Sequence, residues 1–252
     1  SIVNSVVSTP TLRPLKKLGI PTISLIHEFG AYIRPVDILT EVGLWSNRII
    51  YSTELTMKDI ISRCPEIENV PTKIMAQGAC ERPIKNQLRN QRCQTDRRWE
   101  FFNEVKRDEI LILGAGEVQQ RKGIDLFVSI ANIIMKQNED KSIKFAWIGT
   151  GYDPENDFNV SLWINDQIDK MNLSNNLTIL EPTDAYEALQ KRANIFLMTS
   201  RLDPLPNVGI DSMLQGTPIL CFEKACGIAE LLRQDNILGK ALVAPYLDIN
   251  SM

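Results

Sequence analysis

The sequence of 252 residues contains one histidine, and it closes an apolar run, PTISLIHEFG at 21–30. Imidazole titrates near neutrality, so His27 is the side chain best poised for proton or hydrogen-bond exchange at physiological pH. A structural histidine with a satisfied ring is the competing reading. A second set of reactive types is RLDPLPNVGIDSMLQG at 201–216. Pro204 and Pro206 hold an extended loop, and Asn207 suits a helix N-cap. The amides of Val208, Gly209 and Ile210 would then be first-turn donors without helical partners. Asp211 lies four residues after Asn207 and shares its helix face, and Asp203 sits on the loop before. Two carboxylates flanking free amides suit a ligand that carries a phosphate between two sets of sugar hydroxyls. Acids that merely stabilise the dipole of a capped helix are the alternative.

The third set is GAGEVQQRKG at 114–123. Gly114 and Gly116 begin a dinucleotide fingerprint, but its third glycine position is Gln119. No acidic residue closes a strand about 20 residues on, as ribose recognition would need. What remains is a flexible turn with Arg121 and Lys122 at an expected helix start. Cations are disfavoured there unless they meet an anion such as a diphosphate; an ordinary solvated basic pair is the other reading. In ACGIAELL at 225–232, Gly227 opens a further helix with Glu230 three residues on, which reads as a plain cap.

These residues need a scaffold, and the hydrophobic pattern supplies one. Short β-branched runs fall at 2–7, 21–26, 48–52, 72–76, 109–114, 143–149, 177–181, 194–199 and 218–222. Helical patterns fall around 10–18, 35–45, 54–63, 122–137, 161–171, 184–191, 207–215 and 227–233. Such alternation predicts an α/β fold with parallel sheets covered by helices. In these sheets ligands bind beyond the carboxyl ends of strands. The stretch 84–108 is polar and lacks a strand signal. The expected organisation is therefore half of one α/β domain over 1–80, a connector over 81–108 and a nearly complete α/β domain over 109–252. An apolar run at residue 2 with no initiating Met makes the chain read as part of something longer.

Composition narrows the function classes. Against 31 acidic residues there are 28 basic ones, for a net charge of −3. A nucleic-acid binder would usually show a basic excess, so no nucleic-acid partner is expected. Five scattered cysteines without a CxxC pair argue against a disulfide framework or a zinc site. No apolar run approaches a membrane span.

The ordered blocks RKGIDLFVSIA, FAWIGTGYD, IFLMTSRLDPLPNVGIDSMLQGTPILCF and GIAELL resemble the second domain of retaining family-four glycosyltransferases (glycosyl transferases group 1). NSVVSTP, GIPTISLIHEFG, IIYSTELT and TKIMAQGA resemble the latter half of the partner domain in the same enzymes. The resemblance implies a GT-B fold: two Rossmann-like doubly wound parallel-sheet domains, the first incomplete here. It implies a metal-independent transfer of a sugar from a nucleoside diphosphate to a glycan or glycolipid, with retention.

Position by position, the family's paired glutamates become Asp203, facing the donor sugar, and Asp211, facing the ribose. Asn207 and Val208 offer amides to sugar or phosphates. Lys122 matches the diphosphate-binding lysine. Gly116 stands where a partner arginine is frequent, with Arg121 as a substitute. Gly149 and Gly151 match a glycine turn near the nucleotide, and backbone near Leu180 and Glu181 would border the base. His27 matches the histidine that faces the donor sugar. No cofactor or metal ligand is implied.

The expected setting is cytoplasmic, with peripheral membrane contact through a missing N-terminal half. Poor activity is expected of the isolated chain. A non-catalytic nucleotide-sugar-binding fragment and a sugar-nucleotide epimerase are the alternatives. A single histidine gives the epimerase little proton-transfer capacity.

Overall fold

A computed structural model describes residues 1–79, 101, 104–182 and 186–252. These divide into two compact units. The first comprises Ser1–Gly78 with Leu202–Pro206 and Lys224–Leu231, and the second holds the rest.

The first unit is built on four parallel strands, β1 (Ile2–Asn4), β2 (Ile23–Ile26), β3 (Arg48–Tyr51) and β4 (Thr72–Ile74), ordered β1-β2-β3-β4. In register, Asn4 stands opposite Leu25 and Ile26 opposite Tyr51. Helices α1 (Leu12–Lys17), α2 (Asp37–Trp45) and α3 (Glu54–Arg63) connect them. Leu12, Ile26, Leu39, Val42, Ile49, Tyr51, Ile60 and Ile67 form the buried core. The expected strand 2–7 is shorter than its apolar run. Ser5 takes φ 68°, and residues Val6–Thr11 turn into a 3-10 segment. Asn4 thereby becomes the last strand residue. The α3 cap is local: Thr53 Oγ1 accepts from the Thr56 amide at 3.0 Å.

The loop and helix borrowed from later in the chain belong to this unit through specific bonds. The Asp203 amide donates to Ala225 O at 2.8 Å and the Gly227 amide to Pro204 O at 2.7 Å. Gln77 Nε2 donates to Leu205 O at 2.7 Å. Gly227 has no room for a side chain, since a Cβ there would sit 2.2 Å from Thr53 Cγ2.

The second unit is a six-stranded parallel sheet. Its strands are β5 (Ile110–Ala115), β6 (Ile143–Ile148), β7 (Leu177–Leu180), β8 (Ile195–Met198), β9 (Ile219–Phe222) and β10 (Val243–Ala244). Their order, β10-β9-β8-β5-β6-β7, is the doubly wound arrangement with its switch point between β5 and β8. Its helices are α4 (Ile124–Gln137), α5 (Ser161–Lys170), α6 (Tyr186–Arg192), α7 (Asn207–Leu214) and, after α8 (Gly227–Leu232), which falls almost wholly in the first unit, α9 (Asn236–Leu242). The central strands are buried along most of their length, so they read as apolar runs rather than alternating ones. Phe127 of α4 meets the Trp147 ring edge-on at 5.3 Å and Phe145 at 6.2 Å. Gly114 lets this helix approach the sheet, because a Cβ there would lie 2.6 Å from Trp147 and 2.8 Å from Phe127.

Candidate functional site

Parallel sheets of this order bind ligands where the strand direction of travel reverses, here beyond the carboxyl ends of β5 and β8. The turn after β5 is held down firmly. The Gly116 amide donates to Ile148 O at 2.9 Å and the Val118 amide to Thr150 O at 2.8 Å. Trp147 Nε1 donates to Gly116 O at 2.8 Å. Gly149 is the glycine this arrangement demands, since a Cβ at that position would sit 1.8 Å from Gly116 O. The Gly149 amide in turn donates to Leu180 O at 2.9 Å. Gly116, Gly149, Gly151 and Leu180 are thus gathered on one edge of the sheet, with Glu181 exposed just beyond.

Arg121 and Lys122 need one correction. They do not start a helix. They lie in a separate 3-10 turn, Gln120–Lys122, and α4 begins only after Gly123, which is left-handed at φ 73°. Gly123 is required on two counts, because a Cβ there would also meet Thr199 O at 2.0 Å. That contact seats the basic turn against the end of β8, where Thr199 Oγ1 also donates to Lys122 O at 3.4 Å. The Lys122 stem runs across Gly116: a Cβ at 116 would lie 3.1 Å from its Cγ and Cδ. With φ 149° as well, position 116 disfavours the arginine frequent there in the resembling enzymes.

The sequence reading passed over the residue that fixes this turn. Arg201 grips Asp125 in a two-pronged ion pair at 2.8 and 2.7 Å. Its Nη1 also donates to Gln120 O at 2.8 Å, and its amide donates to Arg121 O at 2.9 Å. The hydrogen bonds to Asp125 outweigh partial burial and hold the guanidinium above its ordinary pKa. An arginine two residues ahead of Asp203 was visible in the sequence. Its partner 76 residues away was not.

Asn207, Val208 and Asp211 lie on α7, which follows β8. Asn207 is the first helical residue, with Pro206 before it. The helix buries Gly209 and Ser212, leaving Asn207 exposed and Asp211 half-buried. Its roll is locked by Gln190, whose Nε2 donates to Ser212 Oγ at 3.0 Å, while Ser212 Oγ donates to Val208 O at 2.8 Å. Val208 and Gly209 occupy the first turn, where helix geometry offers their amides no carbonyl one turn back.

Asp203 and His27 fall in the first unit. Asp203 is buried, 7% exposed, in a backbone bridge to Cys226. His27 stands one residue beyond β2, with Nε2 2.8 Å from Asn4 Oδ1. Its Nδ1 is buried and has no protein partner. Glu230 departs from its expected role: its carboxylate accepts from the Glu54 and Leu55 amides and so caps α3, not its own helix. Burial is the main reason its pKa lies above the ordinary carboxylate range. Cys64, Cys221 and Cys226 are buried; Cys80 and Cys93 lie outside the described residues. Among the described residues, no helix is long and apolar enough to cross a membrane.

Two parallel α/β sheets with these turns define the class: the fold is that of GT-B glycosyltransferases. The crystal structure of Anabaena HepE in complex with UDP aligns over 100% of this chain and 66% of its own, with TM-score 0.75 and 12% identity. A UDP-forming α,α-trehalose-phosphate synthase from Burkholderia xenovorans gives TM-score 0.74 at 13% identity, covering 99% of this chain and 63% of its own. Sucrose-phosphate synthase from Thermosynechococcus elongatus gives 0.72 at 18% identity, covering 99% and 61%. The glycosyl transferases group 1 model matches residues 96–252, and the chain belongs to that family. An uncharacterized glycosyltransferase of Haemophilus influenzae is 26% identical over 128 residues. That match takes in 51% of this chain and only 34% of the relative.

Proposed function

We propose that this chain carries the donor site of a glycosyltransferase that moves a hexose from a nucleoside diphosphate to a glycan or glycolipid. The observation that carries the reading is the basic turn. In a chain of this family, Arg121 and Lys122 are fixed at the switch point of the second sheet by Arg201, Asp125 and Gly123. Two cations held by backbone and ion-pair contacts are preorganised for a leaving diphosphate, whose charge grows as the sugar becomes oxocarbenium-like. First-turn amides of Val208 and Gly209 are of the right kind to add to that stabilisation. On this reading the cations carry the leaving-group charge and the transfer is independent of metal.

Asp211 takes the ribose hydroxyls, and backbone at Leu180 and Glu181 borders the base. Asp203 and His27 of the first unit take sugar hydroxyls. Retention, by attack on the same face of the donor as the leaving group, follows the family pattern. So does a cytoplasmic site of action with peripheral membrane contact. HepE was crystallised with UDP and with UDP-glucose, which makes UDP the first nucleotide to try.

The test is binding of UDP, GDP, ADP and dTDP to the chain, followed by their sugars. One nucleotide should stabilise the second unit by about 2.7 kcal/mol when present at 100 times its dissociation constant. Lys122→Ala should weaken that nucleotide by about tenfold or more, as expected for losing one charge-assisted contact. Binding by none of the four, or unchanged binding by the variant, refutes the assignment.

A further inference from the structure

Helix α1 presents a face that the fold does not use. Leu12 is fully buried and Leu15 packs on the core of the first unit, so the helix turns its other side outward. Arg13, Lys16 and Lys17 stand three and four positions apart on that side, and all three are exposed. Among the described residues none of them takes part in an ion pair.

Apolar side chains flank these cations along the chain. Val7 is 81% exposed ahead of the helix, Leu18 is 74% exposed directly after it, and Ile20 follows at 37%. Local bonds fix these placements. Val6 and Thr9 are buried and Thr9 Oγ1 donates to Val6 O at 2.7 Å, which leaves Val7 outside. The Leu18 amide donates to the Pro14 and Leu15 carbonyls at 3.2 Å, and the chain then turns at Gly19, left-handed with φ 68°. Scattered apolar residues on a surface need no explanation, but three on one connection that also carries three unpaired cations make a patch of mixed character.

Charge names the occupant. The whole chain carries −3, yet residues 1–27 contain no acidic residue. The elements packed most closely on α1 are the 3-10 segment Val6–Thr11, which is uncharged, and α2, which brings exposed Asp37 and Glu41. Packed helices lie about 8–10 Å apart, which is about one Debye length at physiological salt, so these two acids weaken the cationic face without cancelling it. Lysine and arginine stems reach past apolar neighbours and set their charges among headgroups, while Val7 and Leu18 enter the boundary with the acyl chains. A nucleic acid or an acidic peptide would pair with the cations and leave the apolar side chains in water.

We propose that the outer face of α1, with Val7, Leu18 and Ile20, docks the protein on an anionic lipid surface. This face gives a place to the membrane contact of the proposed function and rests on that part of it alone. Nucleotide binding has no share in it, so the donor reading and this one fail separately.

Co-sedimentation with vesicles is the test. Vesicles of phosphatidylcholine are compared with vesicles of equal parts phosphatidylcholine and phosphatidylglycerol. The chain should bind the anionic vesicles tighter by about tenfold or more, as expected for three basic residues near the surface, even though its own net charge has the sign of the lipid. Added salt should weaken that binding. The triple variant Arg13→Gln, Lys16→Gln, Lys17→Gln should lose the preference, and Leu18→Ser should weaken binding severalfold. These side chains are exposed and lie outside the donor site, so melting temperature and nucleoside diphosphate affinity should hold in both variants. Equal binding to the two kinds of vesicle, or an unchanged preference in the triple variant, overturns the proposal. Heparin serves as a polyanion without lipid. If heparin binds as tightly as the anionic vesicles and Leu18→Ser alters neither, the face recognises polyanions and the lipid assignment falls. If no nucleotide binds but anionic vesicles do, the donor reading falls and this one stands.

Discussion

Gly149→Ala is the substitution that most directly tests how the basic turn is held. The added Cβ would lie 1.8 Å from Gly116 O and 2.5 Å from its carbonyl carbon, where ordinary contact begins at 3.4 Å. Both partners are backbone, so no side chain can swing aside. The turn must retreat by about 1.5 Å. Such a retreat breaks or stretches three hydrogen bonds: Gly116 N to Ile148 O, Val118 N to Thr150 O and Trp147 Nε1 to Gly116 O. At about 1 kcal/mol each, and with a buried indole N–H left unsatisfied, the cost is about 3–5 kcal/mol.

Gly216→Ala is the matched control. Gly216 has φ 75° but open space around its missing side chain, so it should lose only the left-handed penalty of about 1–2 kcal/mol. Urea unfolding followed by tryptophan fluorescence compares the two, and Trp147 reports from the affected site itself. Equal losses in the two variants would show that the turn is not clamped as described. Nucleoside diphosphate affinity should fall in Gly149→Ala, because the Lys122 stem lies across the displaced Gly116.

Arg201→Ala and Asp125→Ala should each weaken nucleoside diphosphate binding, and the double variant should lose little more than either single one. A coupling of about 1 kcal/mol in that cycle is expected for a partly exposed two-pronged pair, and strictly additive losses would dismiss it. Glu109 predicts a pH effect. Its burial opposes the charged form, but hydrogen bonds from Ser142 and the Lys106 amide, with the charges of Lys144 and Lys106, outweigh that and lower its pKa. Its contribution is complete above the unfolded carboxylate value of about 4.3 and is lost as pH falls through the lower folded value. Glu109→Gln should flatten this part of the acid limb of a stability–pH curve. Glu230 has the opposite sign: burial raises its pKa, so stability falls as pH rises from the unfolded value through the folded one. Glu230→Gln should remove that fall, and an unchanged profile would deny the carboxylate its place over the α3 amides.

The order of strands and helices was legible because each follows from local periodicity and turn residues. β-branched runs mark the buried parallel strands, and glycines mark the turns at 116, 123 and 149. The misses were also local in origin. The Gln120–Lys122 turn is separated from α4 by a single left-handed glycine, and periodicity does not register one residue. Helix α9 went unread although Asp235 caps it, accepting from the Ile237 and Leu238 amides at 2.8 and 2.9 Å.

The sequence by itself determined which residue types are available: one imidazole, two aspartates eight positions apart and a basic pair in a glycine turn. Tertiary structure decided what each of them faces. Strand register sets Ser52 beside His27, although the two are remote in the chain. The β5–β8 pairing brings Arg201 to Asp125 across 76 residues. Packing of the 224–231 segment in the first unit turns Glu230 from a cap of its own helix into a cap of α3. Local pattern fixes the period of each element, because that period is a property of the backbone. Partners across the sheet depend on chain crossings that no local window contains.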